Sequence, residues 1–298
     1  MNTQGSDQKN HARNALLYLF ANSRGIYRLQ LFNYLCDAMD TSKELRLAVL
    51  IDADNIPYSN IKGMLEEIAK YGTPTFKRIY GDWTKPTLSG WKTVLLENAI
   101  TPIQQYSYTK GKNSSDSALI IDAMDILYTG GVDGFCIVSS DSDFTRLATR
   151  LREAGKKVFG MGEKKTPFPF IASCNKFIYI EILQKVEKES REPAETKETL
   201  SARNVKKPVT RKQPTPVAAV DNNLIELIVE SVNDLSEDDG WVFLGVLGNL
   251  ILKKKPDFDS RNYGYKKLVD LIKNINEIEV DERPTGKNNI SHFFVKTK

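Results

Sequence analysis

The chain has 298 residues, 41% of them hydrophobic and 27% charged, the balance of a globular protein long enough for one large domain or two smaller ones. A formal net charge of +4 is too mild to name a partner. Two histidines near opposite ends (His11 and His292) and three scattered cysteines (Cys36, Cys136 and Cys174) argue against a Ser-His-Asp triad, a histidine-based zinc site or a disulfide framework, so any chemistry must rest on carboxylates, hydroxyls, amides and lysines.

Residues 1–44 read as an accessory segment. The stretch NALLYLFANSRGIYRLQLFNYLCDAM is apolar and aromatic, with Arg13, Arg24 and Arg28 interspersed, and is expected to pack as amphipathic pieces on the main domain or on a partner. Its apolar run, Ala15 to Ala21, is short for a signal peptide, no membrane span is evident, and a cytoplasmic location is expected.

From residue 46 to 184 strand and helix patterns alternate. Leu47–Ile51 reads as a buried strand, and Ile61, Met64, Leu65 and Ile68 as a helix before Gly72. Thr75–Tyr80 is the second expected strand, Trp91, Val94, Leu95 and Ile100 mark the second helix, and TPIQQYSY is the third strand. Asp116–Tyr128 is a long helix, and Phe135–Val138 a short strand ending in SSDSD. Phe144–Ala154 is a helix closed by Gly155, KKVFGMG a further strand, and Phe177–Ile180 the last. Strands separated by helices of this length predict an α/β fold, a mostly parallel sheet flanked by helices on both faces.

Residues 185–220 change character. Four prolines (Pro193, Pro208, Pro214 and Pro216), many charges and almost no large apolar side chain predict a flexible linker. Its second half carries Arg203, Lys206, Lys207, Arg211 and Lys212 with no acid, which gives the linker a basic character. Residues 221–298 recover a folding pattern. Asp221 is placed to cap a helix through Leu224, Ile225, Leu227, Ile228 and Val232. WVFLGVLGNLILKK predicts a second helix, SRNYGYKKLVDLIKNI a third, and the alternation around Pro284–Gly286 a hairpin. Three helices and a terminal hairpin make a small winged-helix domain.

In a parallel α/β sheet, sites form beyond the carboxyl ends of the strands. Asp52, Asp54 and Asn55 follow the first strand, Asp82 the second, Asp116 the connection after the third, and Asp141 and Asp143 the fourth. Taken singly, each has an ordinary reading: Asp116, Asp141 and Asp143 as helix caps, Asp54–Asn55 as turn chemistry before Pro57. Recurrence at one edge favours a cluster, and clustered carboxylates repel one another unless a cation sits among them. Hard oxygen donors without histidine or cysteine suit Mg²⁺ or Mn²⁺, and the matching chemistry is phosphate-ester hydrolysis. Asp122, in the apolar surround LIIDAM, reads as a supporting acid or as a helix–strand contact.

The ordered set VLIDADN, KGKNSSDSALIIDAMD and IVSSDSDF, with RIYGDW and CNKFIYIEIL, resembles the NYN domain, a PIN-like family of metal-dependent ribonucleases. The resemblance covers about residues 46–183. It implies that Asp52, Asp116, Asp141 and Asp143 are the catalytic metal-site positions, with Asp52 and Asp141 holding the principal ion. Asn55, Asp54, Asp122, Ser140 and Ser142 would support them. Lys110, Lys112, Asn113 and Ser114 would lie where a phosphate backbone enters, and the products would carry a 5′-phosphate and a 3′-hydroxyl.

Residues 221–297, above all RNYGYKKLVDLI before the hairpin, resemble the OST-HTH (LOTUS) domain, a family associated with RNA and with protein partners. Lys253, Lys254, Lys255, Arg261, Tyr263, Tyr265, Lys266, Lys267 and Lys287 form a candidate RNA-binding surface, the alternative being that the two tyrosines belong to the core. Together the two resemblances imply a Mg²⁺- or Mn²⁺-dependent ribonuclease with a C-terminal RNA-binding module. Two rivals are a catalytically silent RNA-binding scaffold and a haloacid-type phosphatase. The latter shares the DxD pattern of DADN, but Ile56 stands where that family has Thr or Val.

Overall fold

The computed structural model describes residues 44–106, 114–183, 218–284 and 291–298. The expected accessory segment up to Lys43, and the expected linker up to Val217, lie outside the described residues. Two compact units are distinguished among them: residues 44–228 with 250–276, and residues 229–249 with 277–298.

The larger unit is built on a six-stranded sheet: β1 (Arg46–Asp52), β2 (Thr73–Gly81), β3 (Thr101–Gln104), β4 (Gly134–Val138), β5 (Lys157–Gly162) and β6 (Lys176–Tyr179). The order is β3-β2-β1-β4-β5-β6 and every pairing is parallel. The helices in the crossovers are α1 (Ile61–Ile68), α2 (Trp91–Glu97), α3 (Ser114–Thr129), α4 (Thr145–Glu153) and α5 (Phe168–Ser173). This is the α/β architecture expected from the strand–helix alternation. β1 is buried from Leu47 to Asp52, as a central strand covered on both faces must be.

Alternation along β1 divides the core. Leu47, Val49 and Ile51 pack with Ile61, Met64, Ile68 and Trp91 of α1 and α2. Ala48 and Leu50 pack on the other face with Leu119, Ala123 and Ile126 of α3 and Leu147 and Leu151 of α4. A two-residue period therefore puts Asp52 on the face that α3 covers. The strand order reverses direction between β1 and β4, so a crevice opens beyond the carboxyl ends of these two neighbours.

α5 falls in TPFPFIAS, where no helix was expected; two prolines disguise it, Pro167 just before the helix and Pro169 in its first turn, where the missing amide protons cost nothing.

Residues 250–276 belong to this unit. Asp259 accepts from the Arg261 amide (2.9 Å) and opens a 3-10 turn, Ser260–Tyr263. Gly264 ends the turn with φ 88°, a left-handed conformation that favours glycine. The chain becomes helical again only at α8 (Leu268–Ile272). The third helix expected from SRNYGYKKLVDLIKNI is thus broken at Gly264. The Phe177 amide of edge strand β6 donates to the Pro256 carbonyl (2.8 Å), and Tyr179 Oη donates to Asp257 Oδ2 (2.9 Å). Arg261 makes a two-pronged contact with Glu67 of α1 at 2.7 and 2.9 Å and also pairs with Asp259 at 2.8 Å. Ala218, inside the expected linker, is already tied down, its amide donating to the Asn262 carbonyl at 2.8 Å.

α6 (Asn222–Leu235) is capped by Asp221, whose Oδ1 accepts from the Leu224 amide at 2.9 Å. The smaller unit has a three-stranded antiparallel sheet, β7-β9-β8, of β7 (Val242–Phe243), β8 (Ile278–Pro284) and β9 (Ser291–Thr297). The expected second helix begins later than its sequence suggests, because Val242 and Phe243 pair with Val295 and Phe294 before α7 (Leu244–Lys254) starts. The expected hairpin turn beyond Pro284 lies outside the described residues. Among the described residues no helix is long and apolar enough to cross a membrane.

Candidate metal centre

Three chain segments meet at the crevice. β1 delivers Asp52, the first turn of α3 delivers Asp116, and the turn after β4 delivers Asp141 and Asp143. Asp116, Asp141 and Asp143 each offer a carboxylate oxygen within 4.8 Å of the others. Asp116 is buried, Asp141 half-buried and Asp143 exposed, so the group opens to solvent on one side.

Asp52 lies beside this trio, and its charge acts on Asp116. It is 1% exposed. Its Oδ2 accepts from Asn55 Nδ2 (2.5 Å) and Ser139 Oγ (2.8 Å), and its Oδ1 from the Asp54 amide (3.2 Å). Of the two residues expected to hold the principal ion, Asp141 is grouped with Asp116 and Asp143, while Asp52 is held by hydrogen bonds. Burial pushes the Asp52 carboxyl up, and the bonds from Asn55, Ser139 and the Asp54 amide offset part of that rise.

Asp116 records the charge of the whole cluster. Burial first, then the charges of Asp52, Asp141, Asp143 and Asp54, push its carboxyl up to about 7. Four carboxylates acting on a fifth is the electrostatic condition that a cation relieves.

The cap reading and the cluster reading of SSDSD hold together. Asp141 Oδ1 accepts from the Asp143 amide (3.0 Å) and opens the short 3-10 turn Ser142–Phe144, yet the same residue belongs to the acidic group. Ser139, which sequence reasoning passed over, is the hydroxyl that touches both segments. Fully buried, it donates to Asp52 and accepts from the Asp141 amide (3.1 Å), so one side chain fixes both segments. Ser140, expected as a support, instead accepts from the Glu163 amide (2.9 Å) and ties this turn to the end of β5. Ser142 is exposed, and its carbonyl accepts from Thr145 Oγ1. The close approach of β5 needs Gly162, since a Cβ there would lie 2.6 Å from the Ser139 carbonyl oxygen.

Other expected residues divide. Asn55 Nδ2 donates to Asp52 Oδ2. Asp54 lies at the rim, accepting from Ser115 Oγ at 3.4 Å and facing Lys85 Nζ at 3.7 Å. Asp122 follows the second of its two expected readings: it pairs with Arg78 and Tyr80 of β2, a helix–strand contact. Asp82 accepts from Thr84 and Gln104 and organises the loop after β2. Lys110, Lys112 and Asn113, with the side chain of Ser114, lie outside the described residues.

On the C-terminal surface, Lys253, Lys254, Lys266 and Lys267 are exposed and Tyr265 is half-buried. Two expected RNA contacts are turned inward. The Arg261 guanidinium is occupied by Glu67 and Asp259, and Tyr263 is buried against Phe258 with their rings 6.1 Å apart. Lys255 is half-buried beside Tyr263, and Lys287 lies outside the described residues.

Residues 46–181 match the NYN domain and residues 215–290 the OST-HTH/LOTUS domain. Among solved structures, a protein of unknown function from Vibrio parahaemolyticus is 20% identical over 47% of this chain and 94% of its own, with a TM-score of 0.40. An uncharacterized protein from Nitrosomonas europaea is 29% identical over 33% of this chain and 92% of its own, with a TM-score of 0.26. The comparison with curated proteins gave no match. The chain thus carries a PIN-like NYN domain, the nuclease-type domain that bears the acidic group, followed by an OST-HTH/LOTUS domain of the RNA-binding type.

Proposed function

We propose that this protein is a divalent-metal-dependent ribonuclease that hydrolyses RNA phosphodiester bonds at the acidic crevice and holds its substrate through the C-terminal domain. The observation that carries the reading is the convergence of Asp116, Asp141 and Asp143 within 4.8 Å, beside a buried Asp52, at the switch point of a nuclease-type sheet.

The donor set fits the ion. All of the grouped ligand atoms are carboxylate oxygens, which suit Mg²⁺ or Mn²⁺ and not a soft, tetrahedral zinc site. Asp116, Asp141 and Asp143 would hold it, with Asp52 contributing its charge. When bound, such a cation supplies Lewis-acid polarisation of a phosphodiester oxygen and of water. The chain's own residues supply the frame. Ser139 fixes Asp52 relative to the Asp141 backbone, Asn55 fills the other side of Asp52, and the Asp143 amide orients Asp141. The products would carry a 5′-phosphate and a 3′-hydroxyl. Tethering an RNA-holding domain to the crevice raises the local substrate concentration there, and Lys253, Lys254, Lys266 and Lys267 are its candidate phosphate contacts.

The haloacid-type alternative would need Asp52 as a free nucleophile, but both of its oxygens already accept hydrogen bonds in a buried position.

Labelled single-stranded RNA incubated with the protein tests the proposal. Cleavage with Mn²⁺ or Mg²⁺ that stops with EDTA, and is lost in Asp116→Asn and Asp141→Asn, is expected. Binding without cleavage would support the silent scaffold, and phosphate release from a monoester without chain cutting would support the phosphatase.

A further inference from the structure

An acidic crevice repels the polyanion it is proposed to cut. The crevice gathers Asp52, Asp54, Asp116, Asp141 and Asp143, and a divalent cation offsets only part of that charge. Some other cation must meet the phosphate backbone at the rim. Among the described residues, ion pairing brings Lys85 to this place: its Nζ faces Asp54 Oδ1 at 3.7 Å.

Lys85 is well placed for the task. Its backbone is set by the turn after β2, next to β1 in the sheet. The Lys85 amide donates to the Asp82 carbonyl (2.9 Å), and its own carbonyl accepts from the Leu88 amide (3.2 Å). Asp82 is buried and accepts from the Thr84 amide (3.2 Å), Thr84 Oγ1 (2.6 Å) and Gln104 Nε2 (3.1 Å), which locks the turn to β3. Pro86 follows at the start of a 3-10 turn and keeps Lys85 extended (φ −76°, ψ 130°). A rigid backbone thus carries a long side chain whose head is loosely held. The pair is half exposed on both sides, 40% for Lys85 and 36% for Asp54, and wider than a hydrogen bond. Such a pair is worth little and is exchanged at little cost.

We propose that Lys85 is a phosphate-binding residue of the crevice, and that the Asp54 carboxylate occupies in the free protein the place that a backbone phosphate of single-stranded RNA takes when substrate enters. This rests on the ribonuclease reading and adds to it the residue that admits the substrate. Lysine acts here as a point charge, without base preference, so its loss weakens every sequence alike.

The test compares wild type, Lys85→Met and Lys85→Arg in the full chain. The probe is a labelled tetranucleotide. Its steady-state cleavage is measured with Mn²⁺, and its equilibrium binding with EDTA, across a salt series. In Lys85→Met, KM and Kd are expected to rise with kcat little changed. The salt dependence should be shallower by one single-strand contact, so the difference from wild type shrinks by about 2.6-fold between about 50 and 200 mM salt. Lys85→Arg is expected to stay near wild type. If Lys85→Met binds with wild-type affinity and salt slope while both proteins cleave, the inference is overturned and the ribonuclease reading stands. A lost kcat with unchanged binding overturns it equally. If neither protein cleaves but Lys85→Met still loses affinity and slope, the ribonuclease reading fails and the Lys85 assignment survives.

Discussion

Ser139 shows how much a single hydroxyl organises at this site. It links the strand carrying Asp52 to the turn carrying Asp141 and Asp143, and it is fully buried. Removing it leaves the Asp141 amide and Asp52 Oδ2 each short of a partner. Ser139→Ala is expected to weaken Mn²⁺ binding by about 10- to 100-fold, the usual effect of losing a group that orients a ligand. It should also cost roughly 1–3 kcal/mol of stability. Isothermal titration with Mn²⁺ and a denaturant melt read the two effects, and an unchanged Mn²⁺ affinity would remove Ser139 from the site. Sequence reading reached Asp52, Asp116, Asp141 and Asp143 because strand ends and helix starts are marked by local pattern. It passed over Ser139 in favour of Ser140 and Ser142 because three serines interleaved with aspartates look alike. Only the register at the end of β4 decides which one faces Asp52. Arg261 misled for a related reason: its partner Glu67 is 194 positions away, so nothing local distinguishes it from a solvent-exposed cation.

At the level of elements, that same partnership fastens residues 250–276 to α1. Glu67 is 3% exposed and accepts from Arg261, from Lys70 Nζ (2.6 Å) and from Tyr71 Oη (3.0 Å). Burial alone would raise its carboxyl, but the bonds and charges of Arg261 and Lys70 overcome this and hold it at about 2 against an ordinary 4.5. A depressed carboxyl stabilises the fold above its unfolded value, and that contribution is lost as pH falls from about 4.5 toward about 2. Glu67→Gln is expected to cost about 3 kcal/mol at neutral pH. In a unit of this size that lowers Tm by roughly 6–12 °C. It should also flatten the acid limb of stability between those pH values, read by melting across a pH series; a variant that keeps the wild-type acid limb would show that the pair contributes nothing. The elements themselves were largely legible. β1 declared itself by a run of buried apolar residues, and the alternation of strands and helices announced the parallel sheet. The segments that escaped are those where local pattern and tertiary pairing disagree. α5 is masked by prolines at its start, β7 is two residues recruited by β9 from an apparent helix, and the expected third helix is interrupted at Gly264.

Over the whole molecule, the proposed function divides between the carboxylates gathered at the sheet edge, which would cut, and the exposed lysines of the C-terminal residues, which would hold. The proposal stands on the first of these. The sequence could indicate that acids recur at one sheet edge, but not that Asp116, Asp141 and Asp143 form the close group while Asp52 is tied up by Asn55 and Ser139, because that outcome depends on side-chain geometry across three crossovers. The most direct measurement is anomalous diffraction from crystals of the protein soaked in Mn²⁺. A peak bounded by the carboxylates of Asp116, Asp141 and Asp143, absent in Asp116→Asn, is the expected result. Mn²⁺-dependent RNA cleavage by a protein whose crystals carry the ion elsewhere, or nowhere, would contradict it.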